Sequence, residues 1–491
     1  MEMININING KVLTVDAEST ILEAATANGI HIPTLCTIKG IDSRASCRMC
    51  VVEVKGERVF QPACATKVRK GMEVDTDTLA IRKSRKTTLE LLLSRHAVDC
   101  HHCLRIGSSR CDDLDPAFCE TCFFCDCVRD GCCELQALAR EYKVDVLPYS
   151  HQNIDQKLDK SSGTIIRNPN KCVKCRRCVD VCNNIQTVHN LSIINRGSNT
   201  KIVPEMNKNM KDSSCVQCGR CVDVCPTGAL FIDEHKDEVL YYTHRYGIET
   251  AALISSNTLK KLAELFRMDT PVMDVELVVA GLRKIGVDHV YTDEVVNQLS
   301  ASDGEKALAK ALETEKGTVI ITDSSAAEKF VKQNFAKLAP KLVTYDSPQR
   351  IFSKYMKQTF AQGQNHNTSD FRLISVTEGG ENAADAHENK SVDFVIPANE
   401  LYSIFLRTGV DPKQRRPLKP DRFVVSTEET PAREFFAPVE WSMKKEIKQI
   451  EFVLNGSSLK VAIATNLGQV GLLLEEVLNG SSPYNVIRIN A

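Results

Sequence analysis

The chain has 491 residues, 43% of them hydrophobic, and its 62 Lys plus Arg against 63 Asp plus Glu leave a net charge of −1. That supply of apolar residues suits about three or four buried cores, and the balanced charge argues against nucleic acid or an anionic membrane as a partner. No apolar run reaches the ~18 residues of a membrane span, and the opening MEMININING alternates like a strand instead of a signal segment, so a cytoplasmic chain with no membrane span is expected. All 21 cysteines lie between Cys36 and Cys225. Disulfide frameworks belong mostly to small secreted domains, so metal ligation is the better reading of these thiols.

Residues 1–80 read strand, turn, strand, helix (INING, KVLTV, TILEAATANG) and carry Cys36, Cys47, Cys50 and Cys64 in a C-x10-C-x2-C-x13-C pattern. Four thiolates serve zinc or a [2Fe-2S] cluster, and the long first gap with the small or polar residues of GIDSRASCRMC suits a loop wrapped around [2Fe-2S]. A ubiquitin-like or plant-ferredoxin-like domain is expected, with a loop unlike the plant-type C-x4-C-x2-C run.

Residues 81–157 open with IRKSRKTTLELLLSRH, an amphipathic helix ending near His96. On a continuing helix His96 shares a face with Cys100, and with Cys103 it offers three ligands in eight residues; the alternative is a satisfied core or surface histidine. Arg82, Lys83, Arg85 and Lys86 read as a solvated helix face. Further on, FCETCFFCDCVRDGCCELQ packs six cysteines into nineteen positions.

Residues 158–235 contain an internal repeat, CVKCRRCVDVC (Cys172, Cys175, Cys178, Cys182) and CVQCGRCVDVCP (Cys215, Cys218, Cys221, Cys225). Each C-x2-C-x2-C wraps three corners of a cubane, and the cysteine that follows points to the other cube. Cys182 is therefore expected to complete the [4Fe-4S] site of Cys215, Cys218 and Cys221, and Cys225 that of Cys172, Cys175 and Cys178. Asn183 stands where proline usually follows such a run, which ligation does not require.

In residues 236–491, AALISSNTLKKLAELF, VELVVAGLRKIGVDHVYT, GTVIITDSS and SVDFVIPANELYSIFLRTGVD read as βα units of a layered α/β domain. The segments 361–370 and 377–391 are polar and glycine-containing and read as loops or linkers. The basic run of Lys413, Arg415, Arg416, Lys419 and Arg422 reads as a solvated connector. No glycine-rich dinucleotide or phosphate loop is present, so the chain holds no nucleotide site of that kind.

The four cysteine groups in this order, with CRMCVVEV, RHAVDCHHC and CCELQ, resemble the N-terminal half of the catalytic subunit of [FeFe] hydrogenases and the large iron–sulfur subunit of NADH dehydrogenases. The resemblance implies a [4Fe-4S] cluster on His96, Cys100, Cys103 and Cys133, with the family's five-residue gap before Cys133 grown to 29. The insertion supplies Cys111, Cys119, Cys122, Cys125, Cys127 and Cys132. Its CETCFFC run, with Cys111 or Cys127 as the fourth corner, suits a further [4Fe-4S] cluster or zinc. Cys127-x5-Cys133 also reproduces the family gap, so a second pairing stays open, and Cys132 reads as the spare thiol.

The C-terminal half is similar to the hydrogenase domain through SPQRIFSKY, VDFVIPANELYSIF and LKVAIATNLGQVGLLLEEVLNGSSPYNVIRINA, but the cysteines of the hydrogen-forming cluster are missing. Where the family has Thr-Ser-Cys-Cys-Pro, this chain has Thr322, Asp323, Ser324, Ser325 and Ala326, and serine does not replace a thiolate ligand to iron. The resemblance implies an electron-transfer subunit, similar to the iron–sulfur A subunits of Sporomusa-type electron-bifurcating transhydrogenases, with one [2Fe-2S], three [4Fe-4S] and a fourth cubane or zinc in the insertion. Its implied partners are a flavoprotein NAD(P)H-binding subunit, a small thioredoxin-like [2Fe-2S] subunit and soluble ferredoxin. The same kind of wire in an NAD- or ferredoxin-linked formate dehydrogenase, and a redox sensor descended from a hydrogenase, are the alternatives.

Overall fold

The computed structural model describes residues 2–96, 128–129, 132–144, 148–149, 156–314, 317–363, 370–380, 382–423, 434–436, 439, 441–454 and 457–490. Met3–Ile8 alternates, with Ile4, Ile6 and Ile8 buried and Met3 and Asn5 exposed, as a strand with one covered face must. It pairs antiparallel with Lys11–Asp16 and parallel with Glu73–Asp75, and Val51–Val54 and Gln61–Pro62 complete a five-stranded sheet. Helix Ile21–Ala27 lies against it, started by a capping box in which Thr20 and Glu23 satisfy each other's backbone N–H.

Helix Leu79–Leu93 follows, capped by Thr78, and its stripe of Ile81, Arg85, Leu89 and Leu93 is buried. The expected solvated face is wrong at Arg85, which is 2% exposed. Its guanidinium donates to Val51 O at 2.8 Å and to Tyr142 Oη at 2.9 Å, tying the first sheet to helix Glu134–Glu141. Arg82 instead pairs with Asp77 and Lys86 donates to Lys143 O, at exposed positions.

The cysteine repeat forms two matching short helices, Arg177–Asp180 and Arg220–Asp223, flanked by antiparallel pairs Ile165–Arg167 with Leu230–Ile232 and Leu191–Ile194 with Lys201–Pro204. Left-handed residues fall at the same places in both runs, Lys174 and Arg176 in the first and Gln217 and Gly219 in the second. A Cβ on Gly219 would come within 2.7 Å of the Gly380 backbone, so only glycine lets the second run meet the C-terminal half this closely.

That half holds two sheets. One is parallel throughout, in the order His289–Thr292, Glu249–Ile254, Phe371–Thr377, Phe394–Pro397. In the other, Leu342–Thr344, Val319–Thr322, Val486–Ile489 and Ser457–Ala464 are parallel, and Lys448–Leu454 adds an antiparallel edge. Their strands are continuous buried runs such as Val319–Thr322, as expected of sheets covered on both faces. Among the described residues, no helix is long and apolar enough to cross a membrane.

The segment 377–391, expected as a loop, contains helix Ala383–Asn389 with Ala383, Ala384 and Asp385 buried. Of the other expected loop, 361–370, the helix Pro348–Gly363 takes the start and 364–369 lie outside the described residues.

Glu400 is 4% exposed and accepts the His235 N–H at 2.7 Å. Burial, with Glu234 nearby, pushes its carboxyl from 4.5 up to about 8. Folded chains thus keep a proton that unfolded chains lose, so stability should fall as pH rises from about 5 to about 8, by up to ~1.4 kcal/mol per pH unit. Glu400→Gln keeps the acceptor and should flatten that part of the curve of thermal midpoint against pH. An unchanged slope would count against a proton held on Glu400.

Candidate metal centres

Cys36, Cys47, Cys50 and Cys64 are all buried and are drawn together from a loop, the start of Val51–Val54 and the turn after Gln61–Pro62. They form two touching pairs. Cys50 and Cys64 have their sulfurs 3.2 Å apart, and Cys36 hydrogen-bonds Cys47. The hydrogen bond from Cys47 holds the Cys36 thiol down at about 5 and that from Cys50 holds Cys64 at about 6, while Cys47 and Cys50 are pushed up. Two thiol pairs side by side suit two irons, each with two thiolates.

In the repeat, one cavity is lined by Cys172, Cys175, Cys178 and Cys225, and a second by Cys182, Cys215, Cys218 and Cys221. The structure thus brings together the crossed sets rather than four consecutive cysteines. Burial pushes up the thiols of Cys175, Cys178, Cys218 and Cys221, and those of Cys172 and Cys182 to about 11 and of Cys215 to about 12. Metal loading must therefore expel protons from them. Among the described residues no three His, Cys, Asp or Glu groups converge as they would on one ion. Thiols spread around a cavity with apolar walls, such as Ile202, Leu230 and Ala229 in the first, fit a polynuclear cluster.

His96 is 1% exposed just past helix Leu79–Leu93. Cys133, also buried, precedes helix Glu134–Glu141, which is docked on the repeat by a bidentate Glu134–Arg177 pair at 2.6 and 2.8 Å and by the Glu134 N–H on Pro226 O. Cys36, Cys47, Cys133 and Cys175 belong to one apolar cluster with Leu35, Leu89, Leu93 and Leu135. Arg44 reaches from the first cysteine loop to Asp180 at 3.3 Å. Cys132 is half-buried, and Cys100, Cys103, Cys111, Cys119, Cys122, Cys125 and Cys127 lie outside the described residues.

Beyond the second cysteine cavity, the carboxyl ends of strands from both C-terminal sheets meet around a cavity of about 240 Å³. Ser255, Asp293, Asp323, Ser324, Ser325, Ser347 and Asn490 line it. Crevices at strand carboxyl ends are where open α/β sheets bind ligands, but this one is walled by hydrogen-bonded side chains. Asp385 accepts from Ser325 Oγ at 3.1 Å, Ser347 Oγ at 3.2 Å and Arg350 Nε at 2.7 Å. Residues 226–491 contain no cysteine, and none lines the cavity among the described residues. No motif in the sequence marks Asp385, because its partners are scattered through the chain.

Residues 1–79 match the 2Fe-2S iron-sulfur cluster binding domain, 162–231 the ferredoxin-like domain of NADH-quinone oxidoreductase subunit 3, and 248–438 the C-terminal domain of the iron only hydrogenase large subunit. The NADP-reducing hydrogenase subunit HndD of Solidesulfovibrio fructosivorans is 32% identical over 430 residues, covering 84% of this chain and 69% of that protein. The NADPH-Fe(3+) oxidoreductase subunit alpha of Geobacter sulfurreducens is 34% identical over 200 residues, 41% of this chain and 21% of that protein. Iron hydrogenase 1 of Clostridium pasteurianum is 27% identical over 360 residues, 72% of this chain and 58% of that protein. The chain therefore spans only 21% of the Geobacter subunit and 58% of the Clostridium hydrogenase.

Proposed function

The chain belongs to the family of the iron only hydrogenase large subunit and HndD, and from that premise we propose that it is an iron–sulfur electron-transfer subunit of an NAD(P)H-linked oxidoreductase complex that has given up hydrogen chemistry. The observation that carries this reading is the pairing of three cysteine-lined sites in the N-terminal half with a C-terminal cavity that no cysteine lines among the described residues. When bound, iron–sulfur clusters accept and donate single electrons at potentials set by charge, hydrogen bonding and burial. The chain's own part is to hold them in sequence. Cys36, Cys47, Cys50 and Cys64 would hold [2Fe-2S]; His96, Cys100, Cys103 and Cys133 a [4Fe-4S]; and the two crossed sets of the repeat one [4Fe-4S] each. The apolar cluster joining Cys36, Cys47, Cys133 and Cys175 keeps water out between the first of these sites and the repeat.

The domains run 1–80, 81–157, 158–235 and 236–491, the last a hydrogenase-like scaffold. The complex is a flavin-based electron-bifurcating transhydrogenase of the Sporomusa type, in which a flavoprotein handles NAD(P)H, a thioredoxin-like [2Fe-2S] subunit assists, and ferredoxin exchanges electrons with the chain. The similarity to HndD, an NADP-reducing hydrogenase subunit, supports the nicotinamide link, and the missing thiolates support transhydrogenase over hydrogenase.

Iron analysis of fully reconstituted protein should give about 14 irons for one [2Fe-2S] and three [4Fe-4S], or about 18 if the insertion around Cys111, Cys119, Cys122, Cys125 and Cys127 holds another cubane. Stoichiometric zinc with no more than about 14 irons would assign the insertion to zinc. His96→Cys replaces a neutral ligand with a thiolate and should make one cluster's midpoint more negative. If every EPR signal and midpoint stays where it was, His96 is not a ligand.

A further inference from the structure

Gln186 is fully buried (0% exposed) and directly follows a π-helical turn, Val181–Ile185, with its N–H donating to Val181 O at 2.9 Å. Single π turns often mark functional places in a helix. Its Oε1 accepts from the N–H of Leu467 at 2.9 Å, the first residue of helix Leu467–Leu478. That bond fixes the amide's orientation, since a backbone N–H can be answered only by the oxygen. The neighbouring contact is tight, because a Cβ on Gly468 would lie 2.4 Å from Ile185 O.

The other end of the amide, Nε2, is buried and, a weak contact with the Cys218 sulfur aside, makes no hydrogen bond within the protein. Buried donors without a partner are costly and rare. This one lines the cavity of Cys182, Cys215, Cys218 and Cys221. The repeat supplies an internal comparison. Gln186 stands four residues after Cys182, and four after Cys225 stands Ala229, which lines the other cavity with a methyl group.

We infer that Gln186 Nε2–H donates to a sulfur of the cluster held by Cys182, Cys215, Cys218 and Cys221 and makes that cluster easier to reduce. A donor aimed at sulfur stabilises the extra negative charge of the reduced state and so raises the potential. The inference rests on the reading of those four cysteines as a [4Fe-4S] site. Gln186 is a positioning residue, clamped on one side by Leu467 and directed at the cavity on the other.

The test is a redox titration of the anaerobically reconstituted full chain followed by EPR, comparing wild type with Gln186→Met and with Gln186→Ala, the residue of the other repeat. The step belonging to this cluster is the one that vanishes in Cys215→Ala. Both variants should shift that step to more negative potential by about tenfold in the reduction equilibrium, which is about 59 mV for a one-electron couple, and leave the [2Fe-2S] step in place. An unmoved step with iron retained overturns the inference, as does loss of that cluster's iron in both variants, which would make Gln186 a strut. If wild type shows no step that Cys215→Ala removes, the failure lies instead with the cluster assignment.

Discussion

Expressed with a full set of hydrogenase maturation factors, the purified chain should evolve no hydrogen from reduced methyl viologen, with a rate no higher than that of a Cys225→Ala preparation. The expected loss is complete because it is a loss of ligands, while the scaffold persists. The strands and helices around the C-terminal cavity are in place, and Thr322, Asp323, Ser324, Ser325 and Ala326 occupy the stretch where the hydrogenase resemblance calls for paired cysteines. Ser325 and Ser347 are engaged with Asp385, which is itself held by Arg350. A hydroxyl is a poor substitute for a thiolate on iron, and these hydroxyls are also occupied. Asp323 lines the same cavity with its carboxyl pushed up by burial, so the space is furnished with polar groups suited to protons and water. Introducing thiols with Ser324→Cys and Ser325→Cys should not create turnover, because the other groups lining the cavity, such as Asp323, Ser347 and Asn490, still supply no thiolate. Hydrogen production above the Cys225→Ala background would overturn this account of the C-terminal half.

Replacing the last cysteine of either run should empty the site of the other run. Cys182→Ala is expected to abolish the same redox step as Cys215→Ala, and Cys225→Ala the same step as Cys172→Ala, each with loss of about four irons. Cys225 lines the cavity of Cys172, Cys175 and Cys178, and Cys182 that of Cys215, Cys218 and Cys221. Uncrossed behaviour, with Cys182→Ala matching Cys172→Ala, would contradict the arrangement. The same titrations show whether the wild-type chain has the steps at all.

The cysteine spacing made the crossed cavities legible, because a C-x2-C-x2-C run cannot turn its following cysteine back to its own three and reaches its partner instead. The two cavities and their linings follow that logic residue by residue. Charge misleads at Arg85, although its place on the stripe Ile81, Arg85, Leu89, Leu93 is visible at four-residue spacing. What makes burial affordable there is a pair of acceptors, Val51 O and Tyr142 Oη, far away in sequence. The segment 377–391 misleads for the same reason. Its polar residues suggest a loop, but Asp385 is buried and satisfied by Ser325, Ser347 and Arg350, none of which a local window contains. Gln186 carries no motif at all. Only the bond to Leu467, 281 residues away, reveals which way its amide points.

The most direct test couples the chain to the proposed flavoprotein partner and follows ferredoxin reduction by NAD(P)H under anaerobic conditions. Wild type should support it, and Cys225→Ala should abolish it while the flavoprotein's own diaphorase activity with a dye acceptor survives. That outcome places the repeat between the flavin and ferredoxin, as an electron-transfer subunit requires. Ferredoxin reduction undiminished in Cys225→Ala, with the loss of about four irons verified in the same preparation, would contradict it.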